Sequence, residues 1–178
     1  GAVMSVLVTG GAGWIGAAVC REVESRGMTA VPFDRSTGRD VCDMNDVIEY
    51  VAESSAVINL AGMLGTSETF SAEHRCAEAN ILGAINVYDA AATYNVPVVQ
   101  IGTGHKGQLN PYAITKGAAE DLALARARYR KQPIVVVRAF HAYGPGQKIP
   151  PPHGSASVRK IIPSFVCRAL TGMPIEIN

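Results

Sequence analysis

Two groups of residues in this sequence have the types and spacing to do chemistry. The first is Thr9-Gly-Gly-Ala-Gly-Trp-Ile-Gly16, which stands between an apolar run and a helical pattern. Gly10 permits a tight turn. Gly13 lets the backbone approach a pyrophosphate, because no Cβ stands in the way, and Gly16 allows close packing of helix on strand. Trp14 and Ile15 then open a helix whose first N–H groups and positive end suit phosphates. A glycine-rich turn without a ligand is the plainer alternative. The strand before, the helix after and an acid at the right distance favour a dinucleotide. That acid is Asp34, placed to take both hydroxyls of an adenosine ribose and to repel a 2′-phosphate. NAD is therefore the expected cofactor, with NADP the less favoured one because Arg35 is a residue type that accommodates the extra phosphate.

The second group is Tyr112-Ala-Ile-Thr-Lys116. Asn110 can cap a helix and Pro111 suits its first position. Tyr112 and Lys116 are four apart and share a face of that helix. A neighbouring cation and a helix N-terminus both favour a phenolate. Such a tyrosine can pass a proton to or from a substrate hydroxyl, and Thr103 can hydrogen-bond the same oxygen. Taken alone, the pair reads more readily as a surface tyrosine with an exposed lysine. Beside the glycine turn it reads as catalytic.

These residues need a frame. Short apolar runs at Met4–Thr9, Thr29–Asp34, Ala56–Leu60, Val98–Ile101 and Ile134–Ala139 are the expected strands. The first, third and last are nearly all apolar, as strands covered on both faces must be. Helical patterns lie between, at Trp14–Arg26, Asn45–Glu53, Ser71–Tyr94 and Pro111–Tyr129. The alternation predicts an α/β, doubly wound parallel sheet. Too few residues separate Asp34 from Asp40 for a crossover helix, so a loop is expected there, with at most a short strand near Val41. Tyr143–Pro152 reads as an irregular loop, followed by a short helix at Ile161–Leu170 and a strand at Ile175–Ile177.

Composition narrows the partners. The chain has 178 residues and a formal charge of +1. That balance gives no reason to expect nucleic acid or an anionic membrane, and no apolar run is long enough to span a bilayer. The first apolar stretch, Val3–Val8, is too short for a secretory leader. Cys20, Cys42, Cys76 and Cys167 are scattered and expected to be free thiols, which points to the cytoplasm. His74, His105, His141 and His153 have no metal-ligand spacing, and no metal is expected. Arg126, Arg128, Arg130 and Lys131 read as a solvated helix end. Thr66 and Ser67 follow the third strand on the cofactor edge, where they either touch ligand or cap the next helix.

Together these motifs resemble the extended short-chain dehydrogenase/reductase superfamily, in its NAD-dependent nucleotide-sugar epimerase/dehydratase branch. The resemblance covers nearly the whole chain and implies a Rossmann-type sheet. Thr9–Gly16 is similar to the family's cofactor loop. Asp40-Val-Cys-Asp43 resembles its adenine segment, so Asp43 and Met44 are implied cofactor contacts. Asn59-Leu-Ala-Gly62 resembles its strand end beside the cofactor, which implicates Leu60, Ala61 and Gly62. Asn80-Ile-Leu-Gly-Ala-Ile-Asn86 resembles its long-helix motif and puts Asn80 near the cofactor. Thr103, Tyr112 and Lys116 match its catalytic triad. Arg138–Gln147 resembles the segment leading into the sugar-nucleotide pocket, with Phe140 beside the cofactor. His141 stands where the family often has an asparagine near the substrate diphosphate. It reads equally as a packed loop residue.

The resemblance implies residues 1–142 as an NAD-binding domain and 143–178 as only the beginning of a C-terminal substrate lobe, hence a piece of a longer enzyme. It implies epimerisation of a nucleotide-activated sugar through a 4-keto intermediate, with Tyr112 as acid and base. A 4-ketoreductase and a non-catalytic dinucleotide-binding or sensor domain are the alternatives. Gly104 and His105 follow Thr103 where the family's dehydratases carry an acidic pair, so dehydration is disfavoured. A homodimer through the 71–94 and 111–129 helices is the implied assembly.

Overall fold

The computed structural model describes residues 3–175 apart from 155, 157 and 159. Five parallel strands form one sheet in the order β2-β1-β3-β4-β5: β1 Ser5–Thr9, β2 Thr29–Phe33, β3 Ala56–Asn59, β4 Val98–Thr103 and β5 Ile134–Ala139. The chain turns outward from β1 to β2, then crosses back to the other side of β1. That reversal opens a crevice beyond the carboxyl ends of β1 and β3, where open α/β sheets bind ligands. The expected doubly wound, Rossmann-like fold is therefore present.

Helices cover the sheet unequally. On one face α1 (Trp14–Ser25) packs Val19, Cys20 and Val23 against Val6 and Val8. On the other lies the main core. There α2 (Met44–Ala52), α4 (Gly83–Tyr94) and α5 (Pro111–Arg130) bury Val47, Val51, Val87, Tyr88, Ala119 and Ala123 against Leu7, Val57 and Val98. The ends of these helices have local causes. Asp43 caps α2 by accepting from Asn45 N–H at 2.9 Å, and Asn110 caps α5 by accepting from Ala113 N–H at 2.9 Å, with Pro111 at its first position. Asn95 and Lys131 end α4 and α5 in the left-handed region, at φ of 53° and 56°.

The expected loop after Asp34 is present, with a 3-10 turn at Arg35–Thr37 and no strand at Val41. Val41 sits in a turn with its side chain against Gly83, where a Cβ would lie 2.6 Å from Val41 Cγ2. Three expectations are corrected. The segment at Ser71–Tyr94 is not one helix. A 3-10 turn (Glu68–Ser71) leads into α3 (Glu73–Ala77), then a π turn (Glu78–Leu82), then α4. The last strand is not covered on both faces, since Val135 and Val137 are 62% and 45% exposed. Arg126 is not solvated either; it donates to Asp89 Oδ1 at 2.6 Å and lies over the Tyr88 ring.

The chain divides into two compact units, 1–139 and 140–178, so the division falls three residues before the expected boundary at 142. In the second unit the irregular loop leads to α6 (Ile161–Leu170). Loop and helix enclose a cleft of about 270 Å³ lined by Tyr143, Gln147, Ile149, Ile162, Pro163 and Val166. Ile175 is not in a strand, and residues 176 and 177 of the expected last strand lie outside the described residues.

Candidate active site at the carboxyl edge of the sheet

The glycine turn is built by crowding. Gly10 takes φ of 68°, and its N–H donates to the Phe33 carbonyl of β2 at 2.8 Å. A Cβ at Gly10 would meet Ala61 N at 3.1 Å, and one at Gly16 would overlap the Gly10 carbonyl oxygen and approach Gly11 Cα to 2.7 Å. Gly13 is different. It is exposed, and a Cβ there would meet only the Gly10 oxygen, at 3.1 Å. The first turn of α1 has no side-chain cap and no acidic residue. A helix N-terminus left uncapped beside an open glycine fits a phosphate-bearing ligand.

Behind the turn runs a buried polar row. Thr9, Asn59 and Gln100 are register partners across β1, β3 and β4. Thr9 Oγ1 donates to Asn59 Oδ1 at 2.5 Å and accepts from Leu60 and Ala61 N–H at 3.1 Å each. Asn59 Nδ2 donates to Gln100 Oε1 at 2.7 Å, and that oxygen also accepts from Tyr88 Oη at 2.7 Å. Burial pushes the Tyr88 phenol up, so it remains a donor. Each polar atom in the row is thereby paired, as buried groups require. The row fixes the 60–62 strand end against the glycine turn.

The reactive pair stands on the next element. Thr103 is the last residue of β4 and is buried; Tyr112, half-buried, is the second residue of α5. Lys116 follows one turn later, 5% exposed. Its stem points to the carboxyl edge of β3, since a Cβ at Gly62 would lie 3.9 Å from Lys116 Cδ and 2.5 Å from Asn80 Oδ1. Burial pushes the Lys116 ammonium down to about 8, partly offset by Cys76 and Glu120. Asn80 accounts for the π turn. Its Oδ1 accepts from Met63 N–H at 2.7 Å, and its Nδ2 donates to Thr115 Oγ1 at 2.9 Å. One amide thus ties the strand end, the π turn and α5 together.

The loop 104–110 is pinned by charges that the sequence did not single out. Glu120 is fully buried and accepts from Arg138 of β5 at 2.5 to 3.1 Å and from Lys106 Nζ at 3.1 Å. Lys106 also pairs with Asp121. One signal was available: Arg138 interrupts an otherwise apolar strand, and a charge there needs a buried partner.

The remaining candidates sit as follows. Asp34 Oδ1 caps the 3-10 turn Arg35–Thr37, accepting from Ser36 N–H at 2.9 Å and Ser36 Oγ at 2.8 Å. Arg35 is drawn to Asp40 at 3.4 Å. Arg39 is held by Tyr50 Oη at 2.7 Å, so both guanidinium groups near Asp34 are engaged. Asp43 and Met44 open α2. Thr66 and Ser67 are exposed, and Ser67 makes no side-chain cap to the turn that follows. Phe140 and His141 belong to the second unit, where His141 takes φ of 28°.

The sequence profile of the NAD dependent epimerase/dehydratase family matches residues 6–178. Over 203 aligned positions the chain is 29% identical to the UDP-N-acetyl-alpha-D-glucosaminuronate decarboxylase of Bacillus cytotoxicus, covering 93% of this chain and 61% of that protein. It is 26% identical to a UDP-glucose 4-epimerase of Rhizobium meliloti, over 79% of this chain and 52% of that one. Among solved structures, the UDP-glucose 4-epimerase of Thermus thermophilus in complex with NAD is similar at a TM-score of 0.74 and 25% identity, over 97% of this chain and 64% of that one. The chain thus spans between about half and two thirds of these relatives. With a profile match running from β1 to the last residue, the chain belongs to the NAD dependent epimerase/dehydratase family.

Proposed function

We propose that this chain binds NAD across the carboxyl ends of β1 and β3 and carries the acid–base group of a nucleotide-sugar epimerase. Gly10, Gly13, Trp14, Ile15 and Gly16 would hold the pyrophosphate, Asp34 the adenosine ribose, and Asp43 and Met44 the adenine. Leu60, Ala61, Gly62, Asn80 and Lys116 would line the nicotinamide half. Asp34 at the end of β2, where an acid takes the ribose hydroxyls and repels a 2′-phosphate, supports NAD over NADP. Thr66 and Ser67 are the proposed substrate contacts of the first unit.

When bound, the dinucleotide would supply the hydride chemistry at the sugar carbon. Tyr112 takes the hydroxyl proton of C4 at its phenolic oxygen and returns it after the 4-keto sugar has presented its other face. Thr103 hydrogen-bonds the same oxygen. Lys116, one turn below Tyr112 on α5, lies on the same face of the helix and would help to position the substrate and the dinucleotide there. The observation that carries this reading is the buried Lys116 stem passing Gly62 at the edge of β3, on the helix that holds Tyr112.

The test is NMR of the protein with NAD and a panel of UDP-, GDP- and dTDP-sugars. Interconversion of C4 epimers with no net change in NAD is expected. Tyr112→Phe is expected to lower turnover by about 10²–10⁴-fold while NAD still binds. Epimerisation retained in that variant would defeat the assignment. Stoichiometric loss of NAD(P)H when it is supplied with a 4-keto sugar nucleotide would give a ketoreductase instead, and NAD binding without any sugar turnover a sensor domain.

The same reading includes a homodimer through α4 and α5. Ile114, Leu122 and Tyr129 lie on one face of α5 and are 56%, 36% and 76% exposed. Sedimentation at micromolar concentration should give twice the chain mass, and Leu122→Glu should give the monomer.

A further inference from the structure

The loop 104–110 joins Thr103 directly to the helix of Tyr112 and folds on itself, with Gln108 N–H donating to the His105 carbonyl at 3.1 Å. His105 N–H donates to Thr103 Oγ1 at 3.1 Å. That bond fills an acceptor site of the hydroxyl and leaves its proton to be donated elsewhere. Lys106 leaves the loop and lies over α5 at Gly117, where a Cβ would touch Lys106 Cγ at 3.6 Å. Its ammonium then reaches Glu120 and Asp121. Glu120 is held from the other side by Arg138 and lies against β4, where a Cβ at Gly102 would be 2.5 Å from Glu120 Oε2. One buried carboxylate therefore touches the residue before Thr103, the loop after it, and the helix of Tyr112 and Lys116.

We propose that Lys106 is a positioning residue: it latches the 104–110 loop onto α5 and so aims the Thr103 hydroxyl as a donor to the substrate oxygen. This rests on Thr103 as a substrate contact, the role given above. Lys106 itself touches neither substrate nor cofactor. Its side chain is one-third exposed, so its replacement leaves the core intact.

Hydrogen exchange separates the latch from the activity. In Lys106→Met the amides of 104–109 should exchange about tenfold faster, with those of β1 and α4 unchanged. Lys106→Arg should restore protection, and Asp121→Asn should give a partial loss. With the sugar nucleotide that the panel identifies, kcat and kcat/KM should fall together about tenfold in Lys106→Met, with NAD affinity within twofold of the parent. Unchanged exchange in Lys106→Met overturns the latch. Faster exchange with unchanged kcat overturns the positioning role. If the parent protein converts no sugar, the functional reading fails, and the latch stands or falls on exchange alone.

Discussion

The two ends of the reactive edge are held by different physics. At β1 and β3 the glycine turn is fixed by backbone contact and by a neutral polar row. No side chain beyond hydrogen fits at Gly16, and Thr9, Asn59 and Gln100 satisfy one another out of water. At β4 and β5 the frame is ionic. Glu120 gathers Lys106 and Arg138, while Val135 and Val137 beside it remain exposed. The first region is steric and insensitive to pH or salt. The second is held by groups that titrate and are partly screened. A rigid glycine turn and a separately tunable loop after Thr103 follow from that division.

The largest expected effect is at the steric end. Gly16→Val drives a side chain into the Gly10 carbonyl and should cost more than about 3 kcal/mol in urea unfolding. Near-parental stability would mean that the turn is not crowded. Next comes Glu120→Gln, expected to cost about 2–3 kcal/mol because two cations lose a buried partner. Hydrogen bonds from Arg138, aided by Lys106, outweigh burial and hold the Glu120 carboxyl below its usual range. The stability it gives is complete above the ordinary carboxylate value of about 4.3 and disappears as pH falls through its lowered one. Parent and Glu120→Gln should therefore converge in acid; a constant gap would refute the ionic account.

Lys116 should show the opposite sign. Below about pH 8 the folded protein carries a buried charge at a cost. Between that value and the ordinary lysine value of about 10.4, the unfolded chain binds a proton that the folded one has lost, so stability rises with pH. Lys116→Met should be more stable than the parent at pH 7, by about 1–2 kcal/mol, with the gap closing toward pH 10. A gap independent of pH would deny the buried charge. The smallest effect belongs to salt. In 1 M NaCl the loop amides of 104–109 should exchange about twofold faster and those of β1 no faster, because Asp121 is exposed.

What the sequence made legible was local. Strand positions came from apolar runs between turn residues, and the glycine turn and the Tyr112–Lys116 pair from spacing along one segment. What it hid was tertiary. The π turn at Asn80 exists because its amide bonds Met63 and Thr115 from two other elements, and helical periodicity cannot register that. The valines of β5 read as doubly covered because strand composition reports what a face prefers, not what lies on it. Arg126 read as solvated from its place near a helix end, yet Asp89 of α4 holds it. Lys106, Glu120 and Arg138 come from three elements, and only the odd charge in an apolar strand hinted at them.

The central claim is that a dinucleotide lies on the glycine turn, and Gly13 tests it most directly. Gly13 is exposed and its Cβ would meet only the Gly10 oxygen, at 3.1 Å, which a shift of a few tenths of an ångström relieves, so Gly13→Ala should leave the fold in place. Calorimetric titration with NAD should give one site per chain in the parent and at least about tenfold weaker binding in Gly13→Ala, because the added methyl stands where the pyrophosphate must approach. Equal affinity in the two proteins would contradict the account.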